Sequence, residues 1–248
     1  MALFRPLVLM YHAVSDEWDD PLAVRLGELE QQLRRLVDRG FRGATAAEVV
    51  RGARNRRLLH VTFDDGFRSV ENAVPVLEQL ELPATIFACS DLAGEGLPLR
   101  VSELEHGTSL EERLTLTWDR FRELTKSGLV AVGSHTQSHA HLTRLPDEDL
   151  ARELQGSKEA IEAELQQPCE VIAYPYGEHD PRVRQAAAAA GYAAGFAAPG
   201  RSLRFDVLQI PRTGLWRSES SRRWEAKTRL SVRVARELGL TPTRGSTR

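Results

Sequence analysis

Short apolar runs alternate with segments of helical period along almost the whole chain, and that alternation restricts the fold more than any other feature. The runs read as strands at 7–12 (LVLMYH), 58–63 (LLHVTF), 84–89 (ATIFAC), 129–133 (LVAVG), 170–174 (EVIAY), 192–197 (YAAGFA) and 206–210 (DVLQI). Between them, residues 25–39 set Leu26, Leu29, Leu33, Leu36 and Val37 on one helical face, with Gly40 as a stop. Residues 147–166 do the same with Leu150, Leu154, Ile161 and Leu165. Asp180-Pro181 starts another helix with proline at its first position, and Gly191 closes it. A βα alternation of this kind implies a mostly parallel sheet covered by helices, either open or closed into a barrel.

No repeat or low-complexity linker divides the 248 residues, so one domain is expected over 1–216. Residues 217–248 then read as a peripheral C-terminal helix, around 222–238, with a frayed tail. The least periodic part, 91–115, is expected to make an excursion over one rim. A net charge of −2 supplies no global field to recruit nucleic acid or an anionic membrane. The run LVLM at 7–10 is too short for a secretion signal or a transmembrane segment, so a cytoplasmic location is expected. Cys89 and Cys169 lie in apolar strand-like segments and read as reduced core thiols.

In a βα layout the C-terminal ends of strands gather on one rim, where active sites tend to be built. Four polar clusters fall there: His12, Asp64-Asp65, His135 with His139, and the stretch Tyr174-Pro175-Tyr176-Gly177. On a helical turn, the i,i+4 spacing of His135 and His139 separates the rings by about 6 Å along the axis and keeps them on one face. Two imidazoles so placed suit a divalent cation with a carboxylate as third ligand, although solvated or capping histidines have the same spacing. Asp64 and Asp65 repel one another as neighbours; a cation would hold one and leave the other free for proton transfer. Taken alone, F-D-D-G equally describes a chain turn or a helix cap.

The combination T-F-D-D-G (62–66), S-H-T-Q-S-H (134–139) and A-Y-P-Y-G (173–177) resembles the polysaccharide deacetylases of carbohydrate esterase family 4. The resemblance runs from about residue 6 to about residue 214 and implies a single-domain α/β fold, a distorted (β/α) barrel of about seven parallel strands. It implies Asp64 as general base, with Asp65, His135 and His139 holding one divalent ion, Zn²⁺ first, with Co²⁺, Ni²⁺, Mn²⁺ or Fe²⁺ as alternatives. The backbone N–H of Tyr176 would serve an oxyanion, following Pro175, which has no N–H to donate.

Two features depart from the commonest family pattern. The late Leu-x-His motif is missing, and no histidine follows residue 179. Instead V-L-M-Y-H at 8–12 resembles the circularly permuted branch of bacterial exopolysaccharide de-N-acetylases, which implies His12 as the acid that protonates the leaving amine. Ala173 stands where many members carry an arginine that braces the base; Arg212, in I-P-R-T, is a candidate replacement and equally a candidate surface arginine. His141 reads as structural, His60 as packed in its strand, and His106 and His179 have no evident partner. Trp118 and Trp216 are placed outside the catalytic set.

The activity this implies is metal-dependent removal of an acetyl group from an N-acetylated sugar or glycan. Three alternatives stand beside it: another C–N amide hydrolase of the same fold, a sugar O-acetyl esterase, and a non-catalytic carbohydrate-binding relative.

Overall fold

The computed structural model describes residues 5–100, 109–198 and 206–237. The strands are β1 (Leu7–Tyr11), β2 (Ala13–Val14), β3 (Ala23–Val24), β4 (Arg42–Gly43), β5 (Leu58–Phe63), β6 (Ala84–Ala88), β7 (Val130–Ser134), β8 (Val171–Ala173), β9 (Ala194–Ala197), β10 (Ile210–Pro211) and β11 (Thr213–Gly214). The helices are α1 (Leu26–Asp38), α2 (Ala46–Arg51), α3 (Val74–Gln79), α4 (Ser90–Ala93), α5 (Trp118–Thr125), α6 (Asp147–Leu165), α7 (Pro181–Ala189), α8 (Ser221–Thr228) and α9 (Leu230–Glu237).

Nine strands join in the order β10-β9-β8-β7-β6-β5-β1-β11, with β4 added against β5, and every pairing is parallel. This exceeds the seven expected by two, because β4 and β11 are two-residue pieces too short to show a period of their own. Strands β10 and β11 lie at opposite ends of this order, yet only Arg212 separates them in sequence. The chain thus crosses from one edge to the other at Arg212, and the sheet nearly closes into a barrel. Strands β2 and β3 form a separate parallel pair just beyond His12.

Strand alternation sorts the side chains into two apolar layers. Leu7, Leu9 and Tyr11 of β1 and Leu59, Val61 and Phe63 of β5 pack in the large cluster that includes Leu29, Leu33 and Leu36 of α1. Val8, Leu58, Phe87, Ala173, Phe196 and Ile210 form a smaller cluster on the other face. By the same alternation His60, Thr62 and Asp64 follow Leu58 on that inner face, so a column of polar groups climbs β5 toward the rim. Cys89 and Cys169 are free and buried.

The expected strand at 206–210 begins only at Ile210. Asp206 folds the preceding residues into a turn, its side chain accepting from Leu208 N and its carbonyl from Gln209 N. The helix expected around 222–238 is two helices, α8 and α9, parted at Arg229, whose ψ of 133° is extended. Trp224 of α8 is buried in the main core. The tail at 238–248 lies outside the described residues. Among the described residues, no helix is long and apolar enough to cross a membrane.

His60 is packed, with Nδ1 donating to the Ala44 carbonyl at 2.8 Å and Nε2 at 3.0 Å from Thr85 Oγ1. Burial pushes its pKa down from 6.5 to about 4. The unfolded chain therefore takes up a proton near pH 6.5 that the folded chain refuses until about pH 4. Stability is fully present above that window, falls across it on acidification, and changes by on the order of 3 kcal/mol. Urea unfolding of the wild type between pH 7 and 4 should show this loss, and His60→Asn should flatten it. Parallel pH dependence in the two proteins would exclude His60 as the source.

Candidate active site

Asp64 continues β5 by one residue, its amide donating to Tyr11 O at 2.9 Å. The backbone then turns left-handed at Asp65 (φ 70°) and Gly66 (φ 66°), a conformation that glycine adopts freely and aspartate tolerates better than most residues. The turn gives the neighbouring carboxylates different partners. Asp64 accepts from Arg212, Nη1 to Oδ1 at 2.5 Å and Nη2 to Oδ2 at 2.7 Å, a bidentate pair with both residues buried. Asp65 meets the two histidines, with Oδ1 at 3.3 Å from His135 Nε2 and 3.2 Å from His139 Nε2. Burial raises the pKa of both carboxyls. Arg212 and His135 hold Asp64 below its usual range nevertheless, and the two imidazoles hold Asp65 well below.

His135 leaves β7 with its amide on Ala88 O, extending the ladder. The pair His135/His139 does not lie on a helical turn, contrary to the expectation from its spacing. Thr136 (φ 67°) and His139 (φ 63°) are left-handed, and the segment is a loop. Side-chain oxygens intercept the amides that a helix would use: Ser134 Oγ accepts from Thr136 N, and Thr136 Oγ1 accepts from His139 N. The ring centroids still come within 4.9 Å.

This arrangement fits a cation. His135 Nδ1 is 2.9 Å from the Ala173 carbonyl, which can only accept, so the ring proton sits on Nδ1. In the neutral ring the Nε2 lone pair then faces Asp65 Oδ1, acceptor against acceptor, and Asp65 Oδ1 is buried without a hydrogen-bond partner. A proton or a divalent ion between them resolves that repulsion. Burial lowers the His135 pKa, but Asp65 and Asp64 outweigh it and raise it. Ligand atoms of Asp65, His135 and His139 all lie within 4.8 Å of one another, and among the described residues this is the group that could hold a metal ion.

His12 follows β1. Its ring stacks on Trp216 at 5.3 Å and 23° because the β1–β11 register Met10↔Gly214, continued by two residues, brings His12 level with Trp216. Its Nδ1 is buried without a hydrogen-bond partner, and burial lowers its pKa against the pull of Asp65 and Asp64. Asp64 and His12 are thus both shifted down from their ordinary values. Trp216, placed outside the catalytic set, is thus brought against His12 by register and not by any local pattern.

The third segment turns through Pro175–Gly177, with Tyr176 (φ 59°) and Gly177 (φ 66°) both left-handed. A Cβ on Gly177 would meet the Ala198 side chain at 2.2 Å, so the chain passes there only as glycine. Pro175 is buried, whereas the Tyr176 side chain is partly exposed, its ring 4.6 Å from His139 and stacked on His141 at 3.8 Å and 8°. His141 is not in the ligand group; its Nδ1 lies 3.0 Å from Glu178 Oε2. Arg212, weighed as a possible surface residue, is 3% exposed. Trp118 is buried against Phe121, His179 sits beside Arg184, and His106 lies outside the described residues.

The polysaccharide deacetylase family profile matches residues 51–195, a span that holds Asp64, Asp65, His135, His139 and Tyr176 but neither His12 nor Arg212. The poly-β-1,6-N-acetyl-D-glucosamine N-deacetylase of Escherichia coli K12 is 28% identical over 142 residues, 52% of this chain and 20% of that protein. The chain thus matches about a fifth of the length of that curated relative. The structure of IcaB from Ammonifex degensii is similar over 91% of this chain and 96% of its own, at 25% identity and TM-score 0.69. A polysaccharide deacetylase from Bacillus cereus shares the fold over 90% of this chain and 68% of its own, at 24% identity and TM-score 0.71. With more than half of its length matched by the family profile, the chain belongs to the polysaccharide deacetylase family.

Proposed function

We propose that this protein is a divalent-metal-dependent hydrolase that removes the acetyl group from an N-acetylated amino sugar, releasing acetate and a free amine. The observation that carries the proposal is the division of labour between adjacent carboxylates, Asp65 on two imidazoles and Asp64 on a buried arginine. Asp65, His135 and His139 would hold the ion, with Zn²⁺ suited to this nitrogen and oxygen set. When bound, it supplies Lewis acidity at the acyl oxygen and at an attacking water.

The remaining chemistry belongs to side chains and backbone. Asp64, kept ionised by Arg212, accepts the proton of the water that attacks the acetyl carbonyl. The Tyr176 amide, next to Pro175, which has no N–H, is assigned to the developing oxyanion. Burial favours the neutral form of His12, and the ring gains a proton during turnover before passing it to the departing nitrogen. Its stack on Trp216 fixes the ring for that transfer. The substrate class follows the N-acetylglucosamine polymer named for the Escherichia coli relative.

An acetate-release assay on β-1,6-linked N-acetylglucosamine oligomers tests this. Release should stop on chelation and return with added Zn²⁺ or Co²⁺. No acetate from any acetylated sugar, with one equivalent of metal bound, would exclude the assignment. His12→Ala should suppress amide substrates far more than O-acetyl esters, because an amine leaves less readily than an alcohol without a proton.

A further inference from the structure

We infer that Glu153 is a positioning residue for the proposed cation site, fixing the loop that carries both histidines; the inference rests on the assignment of Asp65, His135 and His139 as ligands. Glu153 projects from α6. Its Oε2 accepts from the backbone amides of Gln137 at 2.9 Å and Ser138 at 3.0 Å, and its Oε1 from Ser138 Oγ at 2.5 Å. Those two amides belong to the spacer between His135 and His139. The spacer's carbonyls are taken from the other side, Thr136 O by Ser90 N and Gln137 O by Asp91 N at the start of α4, both at 3.1 Å.

The same face of α6 is shaped for this contact. The side-chain amide of Gln137 lies over Gly156, where an added Cβ would come within 2.7 Å of it. Ser157, one turn beyond Glu153, is 2.9 Å from Ser134 Oγ at the end of β7. A clamp is needed because Thr136 and His139 are left-handed without being glycine, a strain that the surroundings must offset. Only an ionised carboxylate offers acceptors to all three donors while presenting no hydrogen of its own. Without it the spacer relaxes and the His139 ring leaves the position that meets Asp65 Oδ1. The role of Glu153 is thus to hold a ligand in place from outside the site, without touching substrate or ion.

The test is Zn²⁺ affinity of the full chain, measured by competition with a chromophoric chelator and needing no turnover. Glu153→Ala should weaken binding about 10–100-fold, the range for loss of a group that orients a metal ligand. Ser138→Ala, which removes one of the three bonds, should weaken it less, and Glu153→Gln, which keeps one acceptor oxygen, should fall between. The absorption spectrum of the Co²⁺ form should change in the same order, whereas a purely structural role would lower the unfolding temperature and leave affinity and spectrum alone. Wild-type affinity and spectrum in a folded Glu153→Ala overturn the inference; if that variant does not fold, wild-type values in both Glu153→Gln and Ser138→Ala do so. If the wild type itself binds no Zn²⁺ at one per chain, the ligand assignment fails first and takes this inference with it.

Discussion

Asp64→Asn should lower kcat/KM for acetate release by about 10²–10⁴-fold, the range for removing a general base, while Zn²⁺ affinity stays within a few-fold of wild type. The asymmetry is the informative part. Asp64 and Asp65 are sequence neighbours of equal ordinary acidity, yet the left-handed turn at Asp65 and Gly66 sends one toward Arg212 and the other toward the imidazoles. Asparagine keeps one carbonyl oxygen for the guanidinium, so the fold persists, but it cannot take a proton from water at neutral pH. Asp65→Asn should show the opposite order, losing the ion first and activity as a consequence. Acetate-release kinetics and chelator competition on the two variants separate the roles. Equal loss of metal in both would mean that the two carboxylates share one task.

Much of the framework was readable from period alone. The run 58–63 and the helix at 147–166 are long or apolar enough to be seen, and the structure has β5 at Leu58–Phe63 and α6 at Asp147–Leu165. Strand β11 was not, and β10 was reached only at Ile210, because two residues carry no alternation and Arg212 interrupts them. The stretch S-H-T-Q-S-H did contain a warning against a helix: Ser134, Thr136 and Ser138 all compete for backbone hydrogen bonds, and each does so in the structure or binds Glu153. Glu153 had no such signal. It is one acid among many on α6, and only the approach of the spacer loop distinguishes it. The His12–Trp216 stack spans nearly the whole chain and depends on the parallel register of the first and last strands of the sheet.

Arg212→Met should destabilise the protein by about 3–5 kcal/mol at neutral pH, since it strands a buried carboxylate without its counter-charge. Arg212 also donates to Thr62 Oγ1 at 3.2 Å and lies over the Phe87 ring at 5.6 Å, at the seam where the sheet nearly closes. The pH dependence has a definite sign. In the wild type, burial raises the Asp64 pKa and Arg212, with His135, more than compensates, so the pair contributes stability above the unfolded carboxyl pKa and loses it as pH falls through the depressed folded value. Without Arg212 the burial effect dominates, the folded pKa rises, and the acid limb of kcat/KM moves to higher pH. The stability deficit of the variant should therefore be largest near pH 7 and shrink on acidification, as Asp64 becomes protonated and neutral. Adding Asp64→Asn to Arg212→Met should recover part of the loss, because the double variant no longer buries an unpaired charge. Arg212→Lys should rescue only partly, its single ammonium being unable to reproduce two parallel N–H donors. If the losses of the two single variants simply add, or the acid limb stays in place, Arg212 is a structural strut of the barrel seam and not the group that tunes the base.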